Sequence, residues 1–427
     1  MHFQRPSREA LAWALYDWGN SAFATTVMSG FFPVFFKEYW SAGVEVGEST
    51  LRLGMANSMA SLIIVLLAPV LGAIADNAGA RKRFLLFFAF LGVLMTALLP
   101  LVGYGQWQWA VVFYVLGAIG FSGSVSFYDS LIVFVAGEEE LDRISALGYA
   151  LGYLGGGLLF ALNVWMTLSP ATFGLADAAT AVRLSFVTVA LWWALFTVPL
   201  ALYVFESDGK GGAYTTIIRA GFHQLHATFH EIRRLRVVFL FLLAYWLYID
   251  GVDTIVRMAV DYGLSLGFPS ESLITALLIT QFVGFPAAIV FGRIGGRYGP
   301  KTGIYIAIAV YVIVVIWASR MDQVVEFYLM AIVIGLVQGG IQSLSRSLYA
   351  RLIPANKSAE FFGFYNMLGK FAAVLGPVMV GWASMASGSP RLSMLSLLLL
   401  FGLGAWFLSR VDIGAGESAR RELRGKL

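Results

Sequence analysis

Apolar runs of roughly 20 residues recur along the whole chain, and only short polar segments divide them. A helix of that length crosses a bilayer core of about 30 Å, so each run is predicted to be a membrane-spanning helix. Twelve are predicted, over 11–36, 53–75, 84–103, 107–136, 144–169, 184–205, 237–262, 271–292, 302–319, 324–353, 358–386 and 392–409. Composition agrees: 59% of residues are hydrophobic, 13% are charged, and a mean hydropathy of +0.77 is too apolar for a soluble surface. The expected fold is therefore all-α and integral to the membrane. The first run contains Asp17 and lacks a small-residue cleavage site, so it is expected to remain as span one rather than to leave as a signal peptide. Cysteine is absent, which excludes disulfides, thiol chemistry and cysteine-based metal sites.

An even number of spans puts both termini on one side, and the basic residues then divide unequally. Of the 29 Lys and Arg, 21 fall on the terminal side and 5 on the other, while Arg257, Arg346 and Lys370 fall within spans. By the positive-inside rule both termini are expected in the cytoplasm, at the inner membrane if the source is bacterial. The net charge of +4 is thus read as a topology signal directed at anionic lipid headgroups, not at nucleic acid.

The most polar interruption, 206–236, leaves six spans on each side. The expected organisation is a six-helix bundle over 1–206, a linker over 207–236, a second bundle over 237–410 and a basic tail over 411–427. Internal echoes support two related halves: "GAIADNAGARKR" at 72–83 against "GRIGGRYGPKTG" at 292–303, and "GYALGYLGGG" at 148–157 against "GFYNMLGKFA" at 363–372. Within the linker, Ile218, Leu225, Phe229 and Ile232 share one helical face and His223, His226 and His230 the other, which predicts an amphipathic helix on the membrane surface. No carboxylate or cysteine completes a ligand set with these histidines, so no metal is expected there. No ATPase motif is present, and neither "GFSGS" (120–124) nor "HEIRR" (230–234) satisfies a hydrolase or zincin pattern, so no enzyme and no cofactor are expected.

The segment 72–83 resembles the gate motif of the major facilitator superfamily, with Gly72, Asp76, Gly79, Arg81 and Lys82 in place. Asn77 departs from that pattern, and in the second copy Gly296 stands where the acid belongs while Arg297, Gly299 and Lys301 remain. Four further segments, "WALYDWGNSAFATTV" (13–27), "GYALGYLGGG", "GLVQGGIQSLSRSLYARLIP" (335–354) and "FFGFYNMLGKFAAVLGP" (361–377), resemble the autophagy-linked vacuole effluxer branch and its bacterial relatives, the unidentified major facilitator family. The resemblance implies twelve helices in two pseudo-symmetric bundles, an ion-paired latch at the cytoplasmic gate, and solute export or exchange, with amino acids as the cargo suggested for fungal relatives. It also implies that spans one, four, seven and ten line a central cavity.

The charged residues follow that map. Asp17 falls in span one, Asp129 in four, Arg346 in ten and Lys370 in eleven, whereas the apolar cores of spans three, six, nine and twelve carry no ionisable residue. In span seven, Asp250, Asp253, Arg257 and Asp261 lie within an arc of about 80°, a stripe that should face water or partner charges. Gln338, Gln342, Ser345 and Tyr349 make a polar stripe on span ten. A solute carboxylate or phosphate is expected to meet Arg257, Arg346 or Lys370, and an amine Asp17, Asn20 or Asp129, with Gln338 and Gln342 supplying polar contacts. Asp17, Asp250 and Asp253 are the candidates for proton coupling. The chain is thus expected to be a monomeric, proton-coupled secondary transporter of a small polar solute; a lipid or amphipathic-drug exporter of the same fold and a non-transporting receptor are the alternatives.

Overall fold

The computed structural model describes residues 6–206, 236–265, 267 and 269–425, and every regular element among them is helical. The linker expected over 207–236, with its histidine face, lies outside the described residues except for its last position. Twelve long helices follow one another: α1 (8–40), α2 (Val46–Ala78), α3 (Arg81–Leu98), α4 (Trp107–Val135), α5 (Leu141–Leu168), α6 (Ala178–Tyr203), α7 (Arg236–Ser265), α8 (Ser270–Tyr298), α9 (Pro300–Ala318), α10 (Val324–Leu352), α11 (Ser358–Ser387) and α12 (Leu397–Ser409). Among the described residues, 11 of these are long and apolar enough by regular helical run to cross a membrane. The remaining one, α1, is continuous but changes pitch.

Helix α1 is α-helical over Arg8–Ala22, widens into a π-helix at Phe23–Phe31, returns to α at Phe32–Phe35 and widens again at Phe36–Trp40. Pro33 supplies no backbone N–H and crowds the preceding turn, and the wider pitch accommodates it. Within the π stretch Thr25 turns its hydroxyl back onto the Ser21 carbonyl at 2.9 Å. Such stretches occur disproportionately at functional sites.

Helices α1–α6 and α7–α12 form two bundles that meet along α2 with α11, α5 with α8 and α10, and α4 with α11. The chain termini and the α2–α3, α4–α5, α8–α9 and α10–α11 connections lie on one face, here called the terminal face. There the bundles close tightly. A Cβ added to Gly72 of α2 would stand 2.4 Å from the Ala359 carbonyl oxygen of α11, so only glycine allows the two backbones to meet. On the opposite face, the Asp177 carboxylate caps α6 by accepting the Thr180 N–H at 2.7 Å, and that bond holds its pKa below the usual carboxylate range.

The repeats share a terminal-face device that the sequence echo conceals. Lys82 donates to the Ala201 and Val204 carbonyls, each at 2.9 Å, and closes the C-terminal end of α6; Lys301 does the same for α12 through Val411 at 2.8 Å and Ser409 at 3.3 Å. Lys301 therefore braces its own bundle rather than bridging the two, and Arg297 lies exposed over the Tyr298 ring. The expected basic tail contains a helix, α13 (Ile413–Gly425), set against α10 and α7.

The close approach at Gly72 makes a direct prediction. Because the chain has no native cysteine, Ala146→Cys, placed in the buried terminal seam between α5 and α8, is a clean reporter. Gly72→Val should force α2 from α11 and speed maleimide labelling of that cysteine several-fold. An unchanged rate would mean that the seam does not depend on this contact.

Candidate functional site

Three polar layers tie the bundles together, proceeding inward from the terminal face. In the outermost, Asp76 at the end of α2 accepts the Arg81 Nε–H at 2.6 Å and also the backbone N–H groups of Ala359 (3.1 Å) and Glu360 (2.8 Å). A carboxylate of one bundle thereby caps the N-terminus of α11 in the other, where unsatisfied N–H groups and the helix dipole favour an anion. Arg81 also donates to the Asn356 carbonyl at 3.1 Å. Glu206, just beyond α6, accepts the backbone N–H groups of Arg81 at 2.9 Å and Lys82 at 3.1 Å. Burial pushes the Glu206 carboxyl above its usual range, and these hydrogen bonds with the nearby cations oppose the shift. In the second copy Gly296 stands in place of the acid, and among the described residues nothing lies within 4 Å of a Cβ added there.

In the middle layer Asp142 of α5 accepts from Arg351 at 2.8 Å and from the Ser347 hydroxyl at 2.5 Å, both on α10. The innermost layer is built on Arg346, one helical turn deeper and only 2% exposed. Its Nη1 donates to Asp129 Oδ1 at 3.0 Å, its Nε to the Ser145 hydroxyl at 2.9 Å and its Nη2 to the Ser145 carbonyl at 2.8 Å; Asp17 Oδ2 stands 3.9 Å from Nη1. Asn366 of α11 donates to the other Asp129 oxygen at 3.1 Å. The guanidinium also lies over the rings of Tyr149 at 4.4 Å and Trp13 at 4.9 Å, and Trp13 stacks on Tyr128 with centroids 4.3 Å apart. A cation of the second bundle is thus enclosed by carboxylates, carbonyls and aromatic faces of the first.

Directly inside this layer is a chamber of about 270 Å³, into which Asp17, Asn20, Asp129, Gln342 and Arg346 open together with Tyr128, Tyr149, Tyr153 and Gln281. Five of the expected binding residues therefore come together. Gln338 lies one turn further along α10, in a second cavity of about 260 Å³ that shares Ala24, Thr25 and Gln281 with the first. Both cavities touch the π-helical part of α1. From Arg346 to Phe327, the lining residues of α10 extend over about 28 Å of helical rise, so the pair of cavities runs away from the terminal face.

The expected α7 stripe does not converge on the chamber. Asp250 is 1% exposed, accepts the Gly376 N–H of α11 at 2.9 Å and the Thr254 hydroxyl at 3.3 Å, and joins two helices of one bundle. Helical period placed it on a polar arc, but that arc faces α11 at this depth. Asp253 and Lys370 are half-buried and line neither cavity; the side chains of Arg257 and Asp261 lie outside the described residues. The α10 stripe divides similarly, with Ser345 paired to Tyr248 at 2.6 Å and Tyr349 donating to the Phe361 carbonyl at 2.9 Å. Sequence reasoning passed over Tyr149, Tyr153, Ser145 and Gln281. The two tyrosines, spaced i and i+4 within "GYALGYLGGG", and a lone amide in span eight were the available signals. That glycine-rich segment is a packing face: a Cβ on Gly148 would stand 2.6 Å from the Tyr128 hydroxyl.

Residues 53–421 match the family described as "Vacuole effluxer Atg22 like". An uncharacterised major-facilitator-type transporter of Bacillus subtilis, YxiO, is 38% identical, with 96% of each chain covered. Autophagy-related protein 22-1 of Aspergillus niger is 26% identical over 66% of this chain, which spans 50% of that relative's length. Among solved structures, the major facilitator transporter FucP in its outward conformation superposes with a TM-score of 0.71 at 14% identity, covering 95% of this chain and 98% of that one, and so shares the fold.

Removing one partner of a buried ion pair strands the other, at a typical cost of about 3–5 kcal/mol. Arg346→Ala should therefore lower the thermal unfolding midpoint of the purified protein markedly, and adding Asp129→Asn should restore part of the loss. A double variant no more stable than Arg346→Ala would show that the two side chains are not coupled.

Proposed function

We propose a transport cycle from the premise that this chain belongs to the Atg22-like vacuole effluxer family of the major facilitator superfamily and is a multi-pass membrane transporter, not an enzyme. The observation that carries the proposal is the charge balance of the chamber: two carboxylates, Asp17 and Asp129, face one guanidinium, Arg346. Asp129 is held at 3.0 Å from Arg346 and by Asn366, whereas Asp17 stands 3.9 Å away and, among the described residues, accepts one hydrogen bond, from Tyr128 at 3.2 Å. A second anion in so enclosed a place has to be neutralised; a proton or a cationic solute group can do so, and we take these two as the competing species.

On this reading the proton and the solute compete for Asp17, which couples their movements in opposite directions. The solute is a small polar molecule with an amino group, such as an amino acid or a similar zwitterion. Its ammonium meets Asp17, Asn20 and Gln342 orient it, and any carboxylate meets Arg346 once the bundles shift and that side chain leaves Asp129. The three layers described above are the closed gate of this cycle. Their exchange for contacts on the opposite face gives alternating access between two rigid bundles. Outward movement of solute agrees with the family's description as effluxers. The basic terminal face is assigned to the cytoplasm, and the protein acts as a monomer with protons, solute and lipid as its partners.

Reconstitution into liposomes with an imposed pH gradient tests this reading. Wild-type protein should accumulate radiolabelled amino acids against their gradient when the proton gradient opposes them. Asp17→Asn should abolish gradient-driven accumulation, at least tenfold in initial rate, and leave only a weakened solute-for-solute exchange that needs higher solute concentrations and no longer responds to pH. Undiminished pH-driven accumulation in Asp17→Asn would contradict the coupling role.

A further inference from the structure

The second cavity is chemically unlike the first although the two adjoin at Ala24, Thr25 and Gln281. Its wall is formed by apolar side chains such as Ile255, Val315, Phe327, Met330, Ile334 and Met394, from three helices of the second bundle and the segment before α12. Three of the hydroxyls that reach it are already used, while Ser29 and the Gln281 and Gln338 amides supply the remaining polar edge. Thr280 donates to the Ala276 carbonyl at 2.9 Å, Tyr262 to the Ala318 carbonyl at 2.5 Å, and Thr25 to the Ser21 carbonyl at 2.9 Å. With Thr25, Thr280 and Tyr262 bonded internally, the wall formed by α7, α9 and α10 presents mostly hydrocarbon to the space. Thr25 and Gln281 stand at the shared boundary, so anything held at Asp17 with a substituent pointing along α10 enters this cavity directly.

Size sharpens the point. The polar chamber alone, about 270 Å³, is below the usual range for a drug-sized site, whereas the two together, about 530 Å³, fall well within it. Charge favours a cation as the polar end, because the donors of Arg346 are committed to Asp129 and Ser145 while Asp17 retains accepting capacity.

We propose that the second cavity is an apolar subsite of the transport site, and that the chain binds amphipathic organic cations whose ammonium lies at Asp17 and whose hydrocarbon body passes Thr25 and Gln281 into the pocket between α7, α8, α9 and α10. This rests on the assignment of Asp17 as the solute-binding carboxylate.

The test uses full-length protein in lipid nanodiscs and a permanently charged series, tetramethylammonium through butyl-, hexyl- and octyltrimethylammonium, titrated calorimetrically against a blank of empty nanodiscs. Each added methylene that reaches the subsite should tighten binding about three- to fourfold. Ala331→Trp, which fills the cavity, should abolish that dependence while tetramethylammonium binds as before; Ile334→Phe is the second variant should Ala331→Trp fail to fold, verified by its unfolding midpoint. Asp17→Asn should weaken the whole series. Binding of tetramethylammonium that depends on Asp17 but gains nothing with chain length overturns the subsite alone, as it would if a bilayer acyl chain filled the cavity. Chain-length dependence that survives the filling variants also overturns it. Loss of Asp17 dependence throughout the series overturns the underlying assignment of the polar site.

Discussion

The contact between Arg346 and its partners is the constraint on which the rest of the architecture depends. A guanidinium this deep in an apolar protein is tolerated only with its charge and its N–H groups satisfied, and every partner named here except the aromatic faces is a carboxylate, hydroxyl or carbonyl of the other bundle. The pair therefore does more than stabilise. It makes the relative position of the bundles an electrostatic question, because any movement that separates them has to supply Arg346 and Asp129 with new partners. Apolar seams would slide at little electrostatic cost, whereas this one has discrete states.

The outer layers extend the same logic toward the terminal face. Asp76 caps a helix it does not belong to, and Asp142 collects Arg351 and Ser347 from the facing helix. All three carboxylates belong to the first bundle and each takes donors from the second, with Arg81 of the first bundle adding its own bond to Asp76 and one to the Asn356 carbonyl across the seam. With Gly296 in place of an acid, the second bundle cannot return the contact. The two halves are thus alike in how each braces itself, through Lys82 and Lys301, and unlike in how each engages the other.

Much of this was legible in the sequence because hydrocarbon is a severe selector. Twelve runs of adequate length marked the helices, and the family resemblance, with ionisable residues confined to particular spans, pointed to α1, α4 and α10, from which Asp17, Asn20, Asp129, Gln342 and Arg346 open into one chamber. Other features were hidden for identifiable reasons. The face on which Asp250 falls was correct as a helical arc, but whether that arc meets water or α11 depends on helix rotation, which period alone does not specify. The π-helical pitch of α1 accompanies Pro33, but a proline in an apolar run signals a kink or a break as readily as a widened turn, so the sequence does not specify the pitch. The apolar cavity was invisible because Val314 or Ile334 lining an internal space has the same sequence character as a residue facing lipid. Lys301 satisfied a gate pattern by spacing, yet the one-residue shorter turn at Gly299 aligns it with Lys82 rather than with Arg81.

Spin labels at Glu139 and Ala355, exposed positions on the α4–α5 and α10–α11 connections of opposite bundles, report the central claim most directly. The account predicts one short distance across the terminal face of the unaltered protein, and a second, longer population in Asp129→Asn, where Arg346 has lost its closest carboxylate. A distance distribution identical in both proteins would contradict the claim that this buried pair holds the two bundles in register.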